Sequence, residues 1–238
     1  MSASSLTSQI SNLTPQNNNY VIIVAGGSGT RMGAPIPKQF LLLKGRPILM
    51  HTIEAFYHSK TNPQIITVLP DEYHAYWEEL CVEHEFNIPH LLVKGGQTRF
   101  HSVKNGLDTI DDENALVAVQ DAVRPLTKTG IIDLSFTHAA THGNAVTAVK
   151  SRDTVRQLRE GASTHLSRDE IYLVQTPQTF VAAQLKTAYK QPYSDKFTDD
   201  ASVAEAAGFA INLIEGSHQN IKITFPEDIA LAEVLLGL

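Results

Sequence analysis

Residues 21–25, Val-Ile-Ile-Val-Ala, form an uncharged run rich in β-branched side chains, and it gives way at once to Gly26, Gly27, Ser28 and Gly29. Such a run suits a strand buried on both faces of a parallel sheet, because a strand without a solvent face needs no polar side. Glycines directly behind it let the chain turn tightly and present backbone N–H groups to the oxygens of a ligand. Arg31 and Lys38 follow in the same segment, the second behind Pro35 and Pro37. Two cations beside a ring of amides mark an anion site, and a polyphosphate that gathers charge during transfer fits it best. A bland reading stands beside this one, in which the glycines only shape a strand-to-helix turn. The loop is not a dinucleotide fingerprint, since Met32 occupies the third glycine position of G-x-G-x-x-G and Gly33 comes one residue late. No stretch reads as a Walker A loop either.

Beyond this segment, apolar runs and helical periodicities alternate. Pro47 opens a helical pattern with Ile48, Leu49, Ile53 and Phe56 on one face, and a strand pattern follows at 65–69. Further helices are expected near 73–86, 99–107 and 131–142, with strands at 90–93, 115–119 and 145–149. This βαβ rhythm predicts a parallel sheet with helices on both faces, and ligands in such folds bind at the carboxyl ends of the strands. The loops after Ala25, Val93 and Val119 should therefore share one rim. Residues 150–170 break the rhythm with a polar hairpin that turns at Gly161, either a solvated surface hairpin or an arm that packs on a second subunit. Helices at 182–189 and 199–207, strands at 211–214 and 221–224, and a helix after Pro226 complete the pattern.

Composition narrows the function. Of 238 residues 42% are hydrophobic and 18% charged, with no apolar run near the length of a membrane span. A net charge of −6 argues against general nucleic-acid binding, so the basic residues of the motifs serve local purposes. Cys81 is the only cysteine, which excludes an internal disulfide and a cysteine-based zinc cluster. Residues 1–19 lack the basic start and apolar core of a secretory signal, so we expect a flexible tail, one domain over 20–238 and a cytoplasmic protein.

Three further stretches can carry chemistry. Val-Ala-Val-Gln-Asp-Ala-Val-Arg-Pro delivers Asp121 to the expected rim, where it reads equally as a Mg²⁺ ligand beside substrate phosphates or as a partner of Arg124. Pro125 holds Arg124 in extended backbone. Gly95 and Gly96 lead into the helix bearing Arg99 and Ser102, and this turn either holds a base or sugar hydroxyl or is simply a capped helix start. Lys222 lies in the short strand expected at 221–224, a position where a solvated lysine is common.

Taken in order, AGGSGTRMG, PKQF, GGQTRFHSV, DAVRP, RDTV, TPQTF, TDDAS and NIKIT-PED resemble the 2-C-methyl-D-erythritol 4-phosphate cytidylyltransferases from about Tyr20 to the C-terminus. The resemblance implies a Rossmann-like nucleotidyltransferase fold, mostly parallel, whose homodimer exchanges a β-arm at about 150–170. It implies CTP and a sugar-alcohol phosphate as substrates, with Mg²⁺ or another divalent cation held by Asp121. Arg31 and Lys38 would stabilise the transition state. Ala25, Gly26, Gly27, Ser28, Gly29, Gly96, Ser102, Asp121 and Ala122 would hold CTP. Arg168, Lys222, Thr154, Thr176, Thr198 and Arg124 would position the acceptor, with Arg168 and Thr154 coming from the partner subunit. Gly26 stands where many relatives have alanine, and Gln120 replaces a histidine. The DAVRP motif also occurs in ribitol-5-phosphate cytidylyltransferases, but the RDT of the arm and TDDAS favour methylerythritol phosphate. An NAD-dependent oxidoreductase is the rival of another class, and it lacks both the third glycine and an acidic residue ending the second strand.

Overall fold

The structure, a computed structural model, describes residues 19–25 and 36–237. Gly26, Gly27, Ser28, Gly29 and Arg31 lie outside the described residues, as does the tail expected at the N-terminus up to residue 18.

Strand β1 (Asn19–Val24) runs through the middle of a seven-stranded sheet. It pairs in parallel with β4 (Gln64–Leu69) on one side and β6 (Leu116–Asp121) on the other, and β4 pairs in parallel with β5 (Leu91–Lys94). The uncharged run has the expected cause. Ile22 packs with Phe100, Val103 and Leu107 of helix α3 (Arg99–Leu107) on one face. Val21 and Ile23 pack on the other face with α1 (Ile48–Tyr57), with Trp77 of α2 (His74–Glu83) and with Phe136 of α4 (Thr129–His142). Burial of each such side chain contributes about 1.5–3 kcal/mol, so a polar residue on either face of β1 would be costly.

Register aligns the strand ends. Val24 lies opposite both Val68 and Asp121, and the chain leaves each strand through a backbone bond to its neighbour: Ala25 N–H to Val68 O, Ala122 N–H to Val24 O and Gly95 N–H to Leu69 O. The expected common rim is therefore present, with Asp121 as the last residue of β6.

Two expectations are corrected. Strand β10 (Tyr172–Val181) was not anticipated, yet it lies between β6 and β7 (Asn144–Lys150) and runs antiparallel to both. Its sequence disguises it because Pro177 cannot donate to a ladder. The structure accommodates the proline at a register shift between Val174 and Gln178, where the Thr176–Pro177 peptide is cis. Conversely, residues 221–224 form no strand. Ile223 N–H bonds to Val123 O, but that acceptor lies in a loop rather than on a strand edge, so no ladder propagates. The alternation of Ile221 and Ile223 instead reflects a small satellite core with Leu43, Ile48, Val123 and Ala232.

The remaining strands are peripheral. β2 (Leu42–Leu43) and β3 (Arg46–Pro47) make a short hairpin, and β11 (Leu213–Glu215) adds in parallel to β7 at the sheet edge. β8 (Val155–Arg159) and β9 (Ala162–Leu166) form the polar hairpin by themselves. Its two-residue turn needs positive φ at both positions, 49° at Glu160 and 81° at Gly161, the twist that matches antiparallel strands. Helices α5 (Ala182–Ala188), α6 (Asp200–Ala206) and α7 (Pro226–Leu235) complete the chain.

Candidate active site

Asp121 ends β6 at the rim with its side chain largely enclosed, and three cations converge on it. Arg124 Nε and Lys222 Nζ each lie 3.1 Å from Oδ2, and Arg99 Nε lies 3.8 Å from the carboxylate through Oδ1. Burial by itself would push this carboxyl group up. Arg99, Lys222 and Arg124 together outweigh that and hold it well below the usual carboxylate range, so it is ionised at any physiological pH. Of the two readings of Asp121, the pairing with Arg124 is present, and its Oδ1 makes the longer ion contact, to Arg99.

Each cation has its own fastening. Arg124 donates through Nη1 to the Asn220 carbonyl at 2.8 Å. Arg99 forms a two-pronged bond with Asp200, at 3.1 and 2.6 Å, and the Tyr189 hydroxyl donates to the same carboxylate at 2.6 Å. Burial opposes the Arg99 charge, but Asp200 and Asp121 overcome it and raise its proton affinity further. Arg99 escaped the sequence reading. A cation in the first turn of a helix opposes the helix dipole and calls for an outside counter-charge, and that was the available signal. The TDDAS motif supplies the counter-charge: Asp199 caps α6 by accepting from Ser202 N–H at 2.9 Å, leaving Asp200 to turn inward.

Lys38 sits on a short 3₁₀ turn, Lys38–Phe40, and is itself buried. Its Nζ donates to Ile223 O at 3.0 Å, next to Lys222, so two lysines far apart in sequence meet along one short segment. Gln39 was also missed; its buried amide donates to Ala25 O at 3.1 Å and ties the Lys38 turn to the rim.

Arg99, Arg124 and Lys222 thus converge on Asp121, with Asp200 fastened to Arg99 and Asp199 at the cavity wall, while Lys38 is tied to the neighbouring residue Ile223. In a chain of net charge −6, three cations gathered at one strand end offer an anion several charged donors at once. An open cavity of about 230 Å³ lies here, lined among others by Arg99, Asp121, Arg124, Thr176, Thr198 and Lys222. A larger one of about 530 Å³ beside β7 and β11 is lined by one lysine, Lys150, and gathers no comparable charge.

The other expected residues divide. Thr176 Oγ1 accepts from Asp121 N–H at 3.1 Å and so fixes the strand end. Ser102 is fully buried, accepts from Gly96 N–H at 3.0 Å and donates to Thr98 O. Its hydroxyl therefore shapes the loop rather than pointing out of it. Gly96 has to be glycine, since a Cβ there would stand 2.4 Å from His101 Cβ. Ala122 has both main-chain groups engaged, N–H with Val24 O and carbonyl with the Thr52 hydroxyl at 2.8 Å, and its methyl is buried in the core cluster that holds Phe40 and Ile132, so it shapes the rim from beneath. Thr154 and Arg168 are exposed and do not line the cavity of their own chain.

A parallel rim with converging cations and one ionised carboxylate defines a phosphate-handling α/β protein. Residues 20–237 match the family model described as 2-C-methyl-D-erythritol 4-phosphate cytidylyltransferase, and the chain belongs to that family. The enzyme of that name from Phocaeicola vulgatus is 48% identical over 219 residues, covering 92% of this chain and all of the relative. Its counterpart from Azobacteroides pseudotrichonymphae is 50% identical over 218 residues, covering 91% and 98%. Among solved structures, the Francisella tularensis enzyme superposes with a TM-score of 0.74 at 34% identity, covering 91% of this chain and 99% of that one. A 4-diphosphocytidyl-2C-methyl-D-erythritol synthase from Anaerococcus prevotii superposes with a TM-score of 0.80 at 27% identity, covering 92% and 96%.

Proposed function

We propose that the protein transfers the cytidylyl group of CTP to 2-C-methyl-D-erythritol 4-phosphate, giving 4-diphosphocytidyl-2-C-methyl-D-erythritol and pyrophosphate. The observation that carries this reading is the convergence of Arg99, Arg124 and Lys222 on Asp121 at the strand ends. A phosphate oxygen of the acceptor attacks the α-phosphorus of CTP in line. The bond to the bridging oxygen of the β-phosphate breaks, and pyrophosphate leaves with the electron pair. Two anions repel on approach, so positioning and neutralisation supply most of the catalysis. Lys38 and Arg31 neutralise the charge that grows at the α-phosphate and the leaving group. Lys222 and Arg124, with Thr176 and Thr198, orient the attacking phosphate. The rim at Ala25 and Gly96, shaped from beneath by Ser102 and Ala122, takes the nucleotide.

The donor set at Asp121 fits a hard divalent cation: an ionised carboxylate whose Oδ1 has, among the described residues, the longer ion contact, 3.8 Å to Arg99. Mg²⁺ bound there would offset triphosphate charge. Among the described residues no group of three or more acidic, histidine or cysteine side chains that could hold a metal ion occurs.

The hairpin β8–β9 serves as a dimerisation arm in this reading. Leu158, Leu173 and Val174 are exposed apolar side chains on and beside it, and Thr154 and Arg168 would reach the partner's cavity. No helix among the described residues is long and apolar enough to cross a membrane. A cytoplasmic setting suits the single thiol of Cys81, which burial first and Glu78 second push up to about 11, leaving it unreactive.

The test is pyrophosphate release from CTP and Mg²⁺ with each acceptor. Methylerythritol phosphate should support turnover and ribitol 5-phosphate should not; the reverse would replace the proposed acceptor. Sedimentation should show a dimer, and mixed dimers of Lys38→Ala and Arg168→Ala chains should regain activity, an outcome a site built from one chain could not give.

A further inference from the structure

We propose that Asn220 is a positioning residue for the acceptor side of the site, a role that rests on the cytidylyl-transfer reading. It lies in the loop between β11 and α7, fully buried, and three segments of the site meet at it. Its main-chain carbonyl accepts from Arg124 Nη1 at 2.8 Å. Its side-chain Oδ1 accepts from the Thr127 hydroxyl at 2.9 Å. Its Nδ2 donates to Thr176 O at 2.9 Å and to Gln175 Oε1 at 3.3 Å. Two residues further on stands Lys222, on Asp121 Oδ2.

The amide has one workable orientation. Nδ2 faces two acceptors, and Oδ1 faces the Thr127 hydroxyl, which accepts from Gln120 Nε2 at 3.0 Å and has the Arg124 carbonyl as its other acceptor at 3.1 Å. A side chain bonded on both edges inside the protein cannot turn without leaving buried polar groups unpaired. It therefore clamps the loop after β6, which carries Arg124, to the bulge of β10, which carries Thr176.

The consequence is geometric. The Arg124 guanidinium is pinned at two points, by Asp121 Oδ2 on Nε and by the Asn220 carbonyl on Nη1. No substitution at position 220 removes that carbonyl, but loss of the amide frees the loop that places it. The same loop sets where Lys222 Nζ stands. Asn220 touches no reacting atom in this scheme; it acts through Arg124, Thr176 and Lys222.

Asn220→Ala separates this role from mere packing, and Thr127→Val, which removes the hydroxyl that joins Oδ1 to Gln120 Nε2 and to the Arg124 carbonyl, serves as a second variant of nearly unchanged shape. The first readout needs no substrate: the Arg124 Nε–H resonance in a ¹⁵N correlation spectrum, identified by its loss in Arg124→Lys. It should be protected from solvent exchange in the native protein and lose that protection in both variants. The second is steady-state kinetics well below the melting temperature, where KM for methylerythritol phosphate should rise roughly 10- to 100-fold while CTP affinity by calorimetry stays within about twofold. Combined with Arg124→Ala, the effect of Asn220→Ala should largely vanish, since there is then less left to position. An Arg124 signal equally protected in both variants would overturn the proposal. So would losses for CTP and acceptor alike that multiply in the double variant. Were the native protein inactive with methylerythritol phosphate, the functional reading would fall, while the Arg124 signal would still decide whether Asn220 holds this arginine.

Discussion

The two sides of the site are built differently. On the side of β1, β4 and β5 the rim is a backbone construction: Ala25, Gly95 and Ala122 are each held by a main-chain bond to the neighbouring strand, and Ser102 closes the Gly96 turn. On the side of β10 and the 220 loop it is made of buried polar side chains, with Gln120, Thr127, Gln175, Thr176 and Asn220 bonded to one another beneath the charged groups. A backbone rim is set by strand register and tolerates exchange of most side chains. A side-chain network depends on each member having its partner, because an unpaired buried polar group costs about 1–3 kcal/mol. A nucleotide with flat, rigid parts suits the first kind of surface; a small flexible acceptor, recognised by its phosphate and hydroxyls, needs the second.

The largest effect expected lies where the two sides meet. Lys38→Ala should lower turnover by roughly 10²- to 10³-fold while calorimetric CTP affinity stays close to native, because its charge acts on the transition state. Weakened CTP binding with turnover intact would place Lys38 on the nucleotide side instead.

Asp121→Asn probes the side-chain half. The folded pKa of Asp121 lies below its unfolded value, so its ionisation contributes stability above about pH 4 that is lost as pH falls through the folded value. At neutral pH the variant should be less stable by roughly 2–3 kcal/mol, with Arg124 and Lys222 left without their carboxylate and Arg99 keeping Asp200. Urea midpoints of native and variant should draw together in acid. A gap that is constant with pH would mean that Asp121 is not the group titrating.

Gly96→Ala attacks the backbone half. The added carbon would press on His101 at 2.4 Å and on that residue's main-chain carbon at 2.9 Å, so the start of α3 must shift, at about 1–3 kcal/mol. KM for CTP should rise and the acceptor KM should not; equal changes in both would erase the distinction between the halves. Ser102→Ala is the mildest, about 1 kcal/mol, with a few-fold rise in KM for CTP and the same selectivity.

How much of this was legible follows from the range of the forces involved. The helices over α1, α3 and α4 and the parallel strands β1, β4 and β6 came through from apolar spacing, since period 3.6 and period 2 are local properties of the chain. β10 did not, because Pro177 suppresses the strand signal and only the bulge in the assembled sheet makes room for it. Residues 221–224 misled in the opposite direction, their alternation reporting burial of Ile223 rather than a ladder. Of the site, Lys38, Asp121, Arg124 and Lys222 were singled out from motif and spacing, whereas Arg99, Gln39 and Asn220 were passed over because each acts through a partner distant in sequence.

The sequence by itself determined that an uncharged strand is followed by a glycine-rich stretch with cations beyond it, and that Asp121 arrives at the same edge, for those are matters of local pattern. Only the tertiary structure decided that Arg99 is balanced by Asp200, that Lys222 reaches Asp121 and that Lys38 meets Ile223. Ion pairs and hydrogen bonds act over a few ångströms, and which groups come within that distance is settled by the closing of the sheet and the packing of the loops on it.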